Sequence, residues 1–288
     1  MKSYLAFFIV SFLLFSAFKS DKPAYLLFDK DGKTVKYEKM LKQLEDADIV
    51  LFGELHDNPI SHWLQLELTK DLFENKGKNL VLGAEMFESD NQVIMDEYLS
   101  GEISQRNFED EIRLWPNYKT DYKPLVEFAK SNGLYFVATN VPRRYASLVN
   151  SKGFEGLEEL SDEAKAFLPP LPPAYDSTLN CYASMMKMEG MGSHVTPNFP
   201  KAQAIKDATM AYFILKTWEP GKQLLHYHGA YHSQNFESIY WYLKHENPDL
   251  KIVTIHSTMQ KDISELTEEN TGQADFTICV DEDMTRTR

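Results

Sequence analysis

The chain has 288 residues, 43% of them hydrophobic and 25% charged, with a net charge of −13. That length and apolar content suit one large domain, or a domain carrying an insertion, with a sizeable core. The acidic balance and the lack of any basic block exclude recognition of a phosphate backbone, which needs clustered Lys and Arg.

Lys2 precedes the apolar run "YLAFFIVSFLLFSAF" (4–18). Fifteen residues fall short of the roughly 20 needed to cross a bilayer but fit the apolar core of a secretory signal peptide. Residues 1–20 are therefore expected to direct export to the periplasm or cell envelope, leaving 21–288 as the folded domain. An uncleaved N-terminus would instead give membrane association, and no Cys follows the run to serve a lipoprotein anchor. Only Cys181 and Cys279 are present, which allows one disulfide in an exported protein but no framework of them.

"YLLFDKDGKTVKY" (25–37) reads as a hairpin around Asp31-Gly32. Its "DKDG" is not a calcium loop, because the glycine comes at the fourth position and Met40 stands where the closing Glu belongs. Buried strands are expected at 48–54, 79–85, 134–140, 222–229 and 250–257, all rich in Val, Ile, Leu and Phe, and a last strand at 274–280 adds to an edge. Helices fall between them. In 59–77, Ile60, Trp63, Leu64 and Leu68 keep helical spacing and Gly77 ends the helix; 232–248 stops at Pro248. Residues 141–220 contain helical patterns, the bend "LPPLPPAY" and the Met-rich "CYASMMKMEGMGSH", with no convincing strand. The expected fold is α/β: a mostly parallel sheet, helices on both faces, and a helical insertion at about 141–220.

On this layout, polar residues gather at strand ends. "IVLFGELH" ends in Glu54 and His56, "LVLGAE" in Glu85, "FVATN" in Asn140, and "LLHYHGAYH" in His228 and His232. Open parallel sheets bind ligands outside the carboxyl ends of their strands. His and carboxylate side chains are the usual ligands of zinc, iron and manganese, and they also serve as general acids and bases. His226 lies two residues from His228 on the same strand face and reads as a core residue bonded to backbone.

Each feature also has a plain reading. Asn140 is a good helix N-cap and Pro142 a good early helix residue. Arg143 and Arg144 are either solvated or poised for an acidic ligand group. The Met stripe at 185, 186, 188 and 191 is core or interface packing, or, with Tyr182 and His194, a wall for a large flat ligand. "WPNYKTDYKPL" (115–125) is an aromatic loop that lines or caps the cleft. One such residue means little; four strand ends delivering them to one edge define a site.

"LFGELHDNPISHWLQLEL", "LVLGAEMFESDNQ", "ATNVPRRYASLV", "KAQAIKDATMAYFIL" and "HGAYHS" resemble the ChaN-like proteins, haem-binding iron-uptake proteins of bacteria. These share a superfamily with the Tiki proteins and the erythromycin esterases. The resemblance covers residues 25–284. It implies an exported homodimer that holds haem face to face at the subunit interface. Side-chain chemistry alone, not the resemblance, makes Tyr182, Met188 and His194 candidate haem contacts, and its place at the sheet edge makes Arg143 a candidate ligand contact. Covalent c-type attachment is excluded, since neither Cys lies in C-x-x-C-H. The Tiki branch implies an alternative, a metal-dependent peptidase or esterase. There His56, Glu85, His232 and His228 hold zinc or manganese, Glu54 carries the proton, and Asn140 is a second catalytic candidate. A third reading is a binding protein that kept a polar edge without chemistry. The sequence departs from ChaN in lacking a lipidated Cys.

Overall fold

A computed structural model describes residues 22–187 and 196–287. Seven strands, β1 (Tyr25–Asp29), β2 (Ile49–Glu54), β3 (Leu80–Glu88), β4 (Phe136–Asn140), β5 (Gln223–Gly229), β6 (Ile252–Gln260) and β7 (Phe276–Asp281), form one sheet in the order β1-β7-β6-β2-β5-β3-β4. Every neighbouring pair is parallel except β1 with β7. β2 and β5 are buried at each position, as expected of central parallel strands sandwiched between helices.

The intervening helices are α1 (Tyr37–Leu44), α2 (Pro59–Lys76), α3 (Gln92–Ser100), α4 (Gln105–Glu111), α5 (Lys123–Asn132), α6 (Arg143–Lys152), α7 (Glu155–Glu158), α8 (Asp162–Lys165), α9 (Asn180–Ala183), α10 (Phe199–Thr217) and α11 (Ile239–Glu246). On one face of the sheet, Val50, Phe52, Leu82, Leu225 and Tyr227 pack with Leu64, Leu68 and Leu72 of α2 and Leu125 and Val126 of α5. On the other, Ile49, Leu51, Val81 and Leu224 pack with Ala204, Ala208 and Ile214 of α10 and Ile239 and Leu243 of α11. This is the expected α/β architecture, with helices running from β4 to β5.

Several local expectations are corrected. The strand at 274–280 lies inside the sheet, between β1 and β6, and the hairpin strand β1 takes the edge. The second arm of that hairpin is a single bridge, Phe28 to Thr34, because the chain turns into α1 three residues later. The helix foreseen from 232 is two short 3₁₀ turns, Ala230–His232 and Gln234–Phe236, followed by α11. Trp63 is 48% exposed and packs edge-on against Tyr25, whereas Ser61, His62, Gln65 and Thr69 are buried. Cys181 and Cys279 are separate buried thiols, not a disulfide.

The outer edge of β4 is covered. The side-chain amide of Gln92 donates to the Phe136 carbonyl (3.1 Å) and accepts from the Ala138 N–H (2.6 Å), replacing a neighbouring strand.

Candidate ligand site at the carboxyl ends of the strands

Alternation along each strand divides the site between the two faces of the sheet. Glu54 follows Phe52 onto the α2 face. Glu85 follows Val81 and Gly83 onto the α10 face. His56, just beyond the end of β2, stands between the two.

On the α2 face, Glu54 is 1% exposed and fully engaged. Its Oε1 accepts from the Tyr122 hydroxyl (2.7 Å) and from His56 Nδ1 (2.9 Å), and its Oε2 from the Gln65 amide. Tyr122 ends a π-helical turn, Tyr118–Tyr122. Burial and the adjacent Glu54 push its phenol far above the usual range, so it stays a donor. His62 stands 3.0 Å from Gln65 Oε1 and 3.1 Å from the His56 carbonyl. Asn117 donates to that same carbonyl (2.8 Å) and to Asp121 (2.7 Å). Trp115 packs edge-on against the His56 ring, 4.9 Å between centroids. Residues 115–125 are thus less a loop than the π-helical turn and the start of α5, and they brace His56 and Glu54 rather than line the cavity.

On the α10 face, His232 is clamped between two carboxylates: Nδ1 donates to Asp207, and Nε2 lies 3.2 Å from Glu85 Oε1. Asp207 is 0% exposed and also accepts from the Tyr182 hydroxyl (2.8 Å). Glu85 Oε2 accepts the Gly229 N–H (2.8 Å). Burial alone would favour neutral His232, but Glu85 and Asp207 outweigh it and push the imidazole up to about 10. Burial likewise opposes the Glu85 charge, but His232, with help from His56 and the Gly229 amide, holds that carboxyl well below the usual range. For His56 too, burial is opposed by Glu54 and Glu85, and the net direction is upward.

These shifts predict a stability profile. Stabilisation from charged His232 is complete below its ordinary value of 6.5 and is lost as pH rises through about 10; that from Glu85 is present above its ordinary 4.5 and is lost in acid. Urea midpoints are expected to be highest between about pH 4.5 and 6.5 and to fall towards pH 10, with the alkaline limb flattened in His232→Gln. An unchanged limb in that variant would contradict the clamp.

The structure brings Glu54, His56, Glu85 and His232 to one edge. There Glu54, His56 and His232 line a cavity of about 450 Å³ together with Gly229, His256, Gln273 and others, and Glu85 stands against it through His232 and the Gly229 amide. It does not bring His228 there as a ligand. His228 is fully buried behind Glu85, its Nδ1 faces His226 (3.2 Å), and burial holds both imidazoles well below the usual histidine range. His226 is a core residue, as expected, but its ring bonds the Thr139 hydroxyl (2.7 Å) and faces His228 instead of bonding backbone. Asn140 does not cap α6: its amide donates to the Glu85 carbonyl (2.9 Å). Arg143 is exposed at the start of α6, while Arg144 pairs with Asp90. Tyr182 is 0% exposed, with its hydroxyl committed to Asp207. Met188 and His194 lie outside the described residues.

A zinc- or manganese-type site is not supported. Such an ion needs about four donors, at least three of them from protein, and no group of three or more His, Cys, Asp or Glu has that arrangement among the described residues. The physical reason is internal pairing: both nitrogens of His232 face carboxylates, and Glu85 and Glu54 are filled by donors.

Sequence inspection alone passed over Tyr122, Gln65 and Asp207. For Asp207 a signal existed: a charged residue on the apolar face of "KAQAIKDATMAYFIL" is rarely buried without a partner.

A mostly parallel α/β sheet with an oriented imidazole and paired buried acids at its carboxyl edge defines a protein with a built ligand or acid–base site. The family described as haem-binding uptake, Tiki superfamily, ChaN matches residues 40–243, and the chain belongs to it. Among solved structures, the chain is similar to "Cofacial heme binding to ChaN of Campylobacter jejuni", with a TM-score of 0.67 and 17% identity over 88% of this chain and 96% of that one. A more distant likeness is to an erythromycin esterase variant in its open conformation, with a TM-score of 0.48 and 12% identity over 90% and 83% of the two chains. Among curated proteins, the chloroplastic RETICULATA-RELATED 5 of Arabidopsis thaliana is 26% identical over 206 residues, which are 67% of this chain and 27% of that protein. The chain therefore spans little more than a quarter of that relative.

Proposed function

We propose that this protein binds haem for iron acquisition outside the cytoplasm, with His56 supplying the protein ligand to the iron. The observation that carries this reading is the donor inventory. Porphyrin supplies four nitrogens to its iron, so the protein need add only one or two donors. Three imidazoles line the cavity: both nitrogens of His232 face carboxylates, and buried His256 has no partner at Nδ1. His56 is oriented through Nδ1 by Glu54, as carboxylates orient metal-binding histidines, with its Nε2 left free of hydrogen bonds among the described residues. One pre-oriented nitrogen suits haem and does not suit a bare divalent ion. Family membership points the same way. A cofacial pair, the arrangement named for the Campylobacter protein, needs two haems, so a chain with one such site would pair with a second copy. The apolar run at 4–18 supports export.

Haem titration of the purified chain is expected to give a saturable Soret shift coupled to dimer formation in sedimentation. His56→Ala should weaken that binding at least about tenfold, or 1.4 kcal/mol. No saturable shift in the wild-type protein would overturn the reading.

Ester or peptide hydrolysis at the same edge is favoured by one observation: His56 backed by Glu54 is an oriented imidazole–carboxylate pair facing a cavity. Turnover of an ester or peptide, abolished by His232→Ala in a folded protein, would move the assignment there.

A further inference from the structure

The sequence contains two G-x-x-H segments at the site, "GELH" (53–56) and "GAYH" (229–232). Neither glycine is required by backbone conformation. Gly53 lies inside β2 and is not among the left-handed glycines; Gly229 has φ −59° and ψ 140°, open to any residue. Both are required by space. A Cβ on Gly229 would fall 2.7 Å from His56 Nε2, 2.8 Å from His56 Cε1 and 3.6 Å from Glu85 Oε2. A Cβ on Gly53 would fall 2.9 Å from the Cα of Ala230, 3.1 Å from the Ile255 carbonyl oxygen and 3.4 Å from Ser233 Oγ. So the glycine of the second segment admits the histidine of the first. The glycine of the first admits the turn that carries the histidine of the second.

We infer that the two segments are interlocked: Gly53 and Gly229 are positioning residues that fix where His56 and His232 stand relative to each other. The parallel pairing of β2 with β5 puts Gly53 beside His228 and Glu54 beside Gly229, which brings the segments together. The His56 ring cannot simply swing away from a side chain at 229. Glu54 holds its Nδ1, Trp115 lies against it, and Asn117 holds its carbonyl. The obstacle at 53 is backbone on two sides and yields less. The bearing on ligand binding rests on the haem reading above; the interlock itself does not.

The test is a double-mutant cycle on the full chain, read in two independent ways. Gly229→Ala is expected to lower the urea midpoint, whereas in a His56→Ala background, where the ring is gone, the same change should leave it unaltered. In the wild-type background, Gly229→Ala should also weaken haem binding at least about tenfold. It should change the rate at which diethyl pyrocarbonate acylates His56 in the haem-free protein, and it should add no loss of haem binding to His56→Ala. Gly53→Ala should weaken haem binding without relief from His56→Ala. If Gly53→Ala does not accumulate as folded protein, Gly229→Ala still decides, because its obstacle is a side chain. Additive effects of Gly229→Ala and His56→Ala on the urea midpoint would overturn the interlock. Absent haem binding with a coupled urea cycle would overturn only the haem reading.

Discussion

Asp207→Ala is expected to cost about 3–5 kcal/mol, the range for breaking a buried ion pair by removing one partner. Asp207 is a fully buried carboxylate on α10 that accepts from both Tyr182 and His232. Its loss leaves the Tyr182 phenol without an acceptor in the core and His232 with Glu85 alone. For a chain of this size the thermal midpoint should drop by roughly 10 °C. Asp207→Asn keeps the shape and an acceptor for Tyr182 but not the charge, so it should cost less. Thermal and urea unfolding of the two variants measure this directly. A loss under about 1 kcal/mol for Asp207→Ala would mean that the chain from Tyr182 to Glu85 does not support the fold.

Glu54→Ala should be comparably damaging, on the order of 3–5 kcal/mol, with a second consequence at the ligand. Glu54 collects Tyr122, His56 and Gln65 at one buried carboxylate. Alanine strands the Tyr122 hydroxyl and the Gln65 amide and frees the His56 ring to turn. Changes to groups that orient a metal-binding histidine typically cost about 10- to 100-fold in affinity, and a haem titration should show a loss of that size. Glu54→Gln restores an acceptor for one donor and should recover part of the stability. Unaltered haem affinity in a folded Glu54→Ala protein would exclude His56 as the oriented ligand.

The strands were legible because central parallel strands announce themselves as short apolar runs, and the residues at their ends could be placed on one edge by chain order alone. Hence Glu54, His56, Glu85 and His232 were found together. What they bond to was not legible, since their partners come from helices. On α2 the apolar pattern suggested a face of Ile60, Trp63, Leu64 and Leu68. Leu64 and Leu68 are buried as that pattern suggested, but Trp63 is left half exposed and His62, Gln65 and Thr69 are buried as well, because Glu54 and Tyr227 present polar atoms to that helix. Tyr122 lies on a π-helical turn, whose spacing no regular period reveals. His228 was read as an edge residue because it is one residue from the strand end, yet its face of the sheet points into the packing behind Glu85. The turn after Gly229 was read as helix. Asn235, Phe236 and Ser238 there take positive φ values, which Asn adopts readily but Phe and Ser disfavour, so the helical pattern is broken where it looked continuous.

The covered edge of β4 constrains how two copies could meet. Gln92 occupies the outward-facing peptide groups of Phe136 and Ala138, and at the opposite margin Val35 donates to Leu27 (2.8 Å) and Asp29 to Lys33 (2.9 Å), folding the chain back over β1. Among the described residues, neither border offers a row of free amides for a second sheet to extend. Self-association by strand addition is therefore blocked at both ends, and with it the common route from edge strands to fibres. A pair of molecules would have to join through side chains of helices and loops, a contact that can open and close around a ligand without disturbing the sheet.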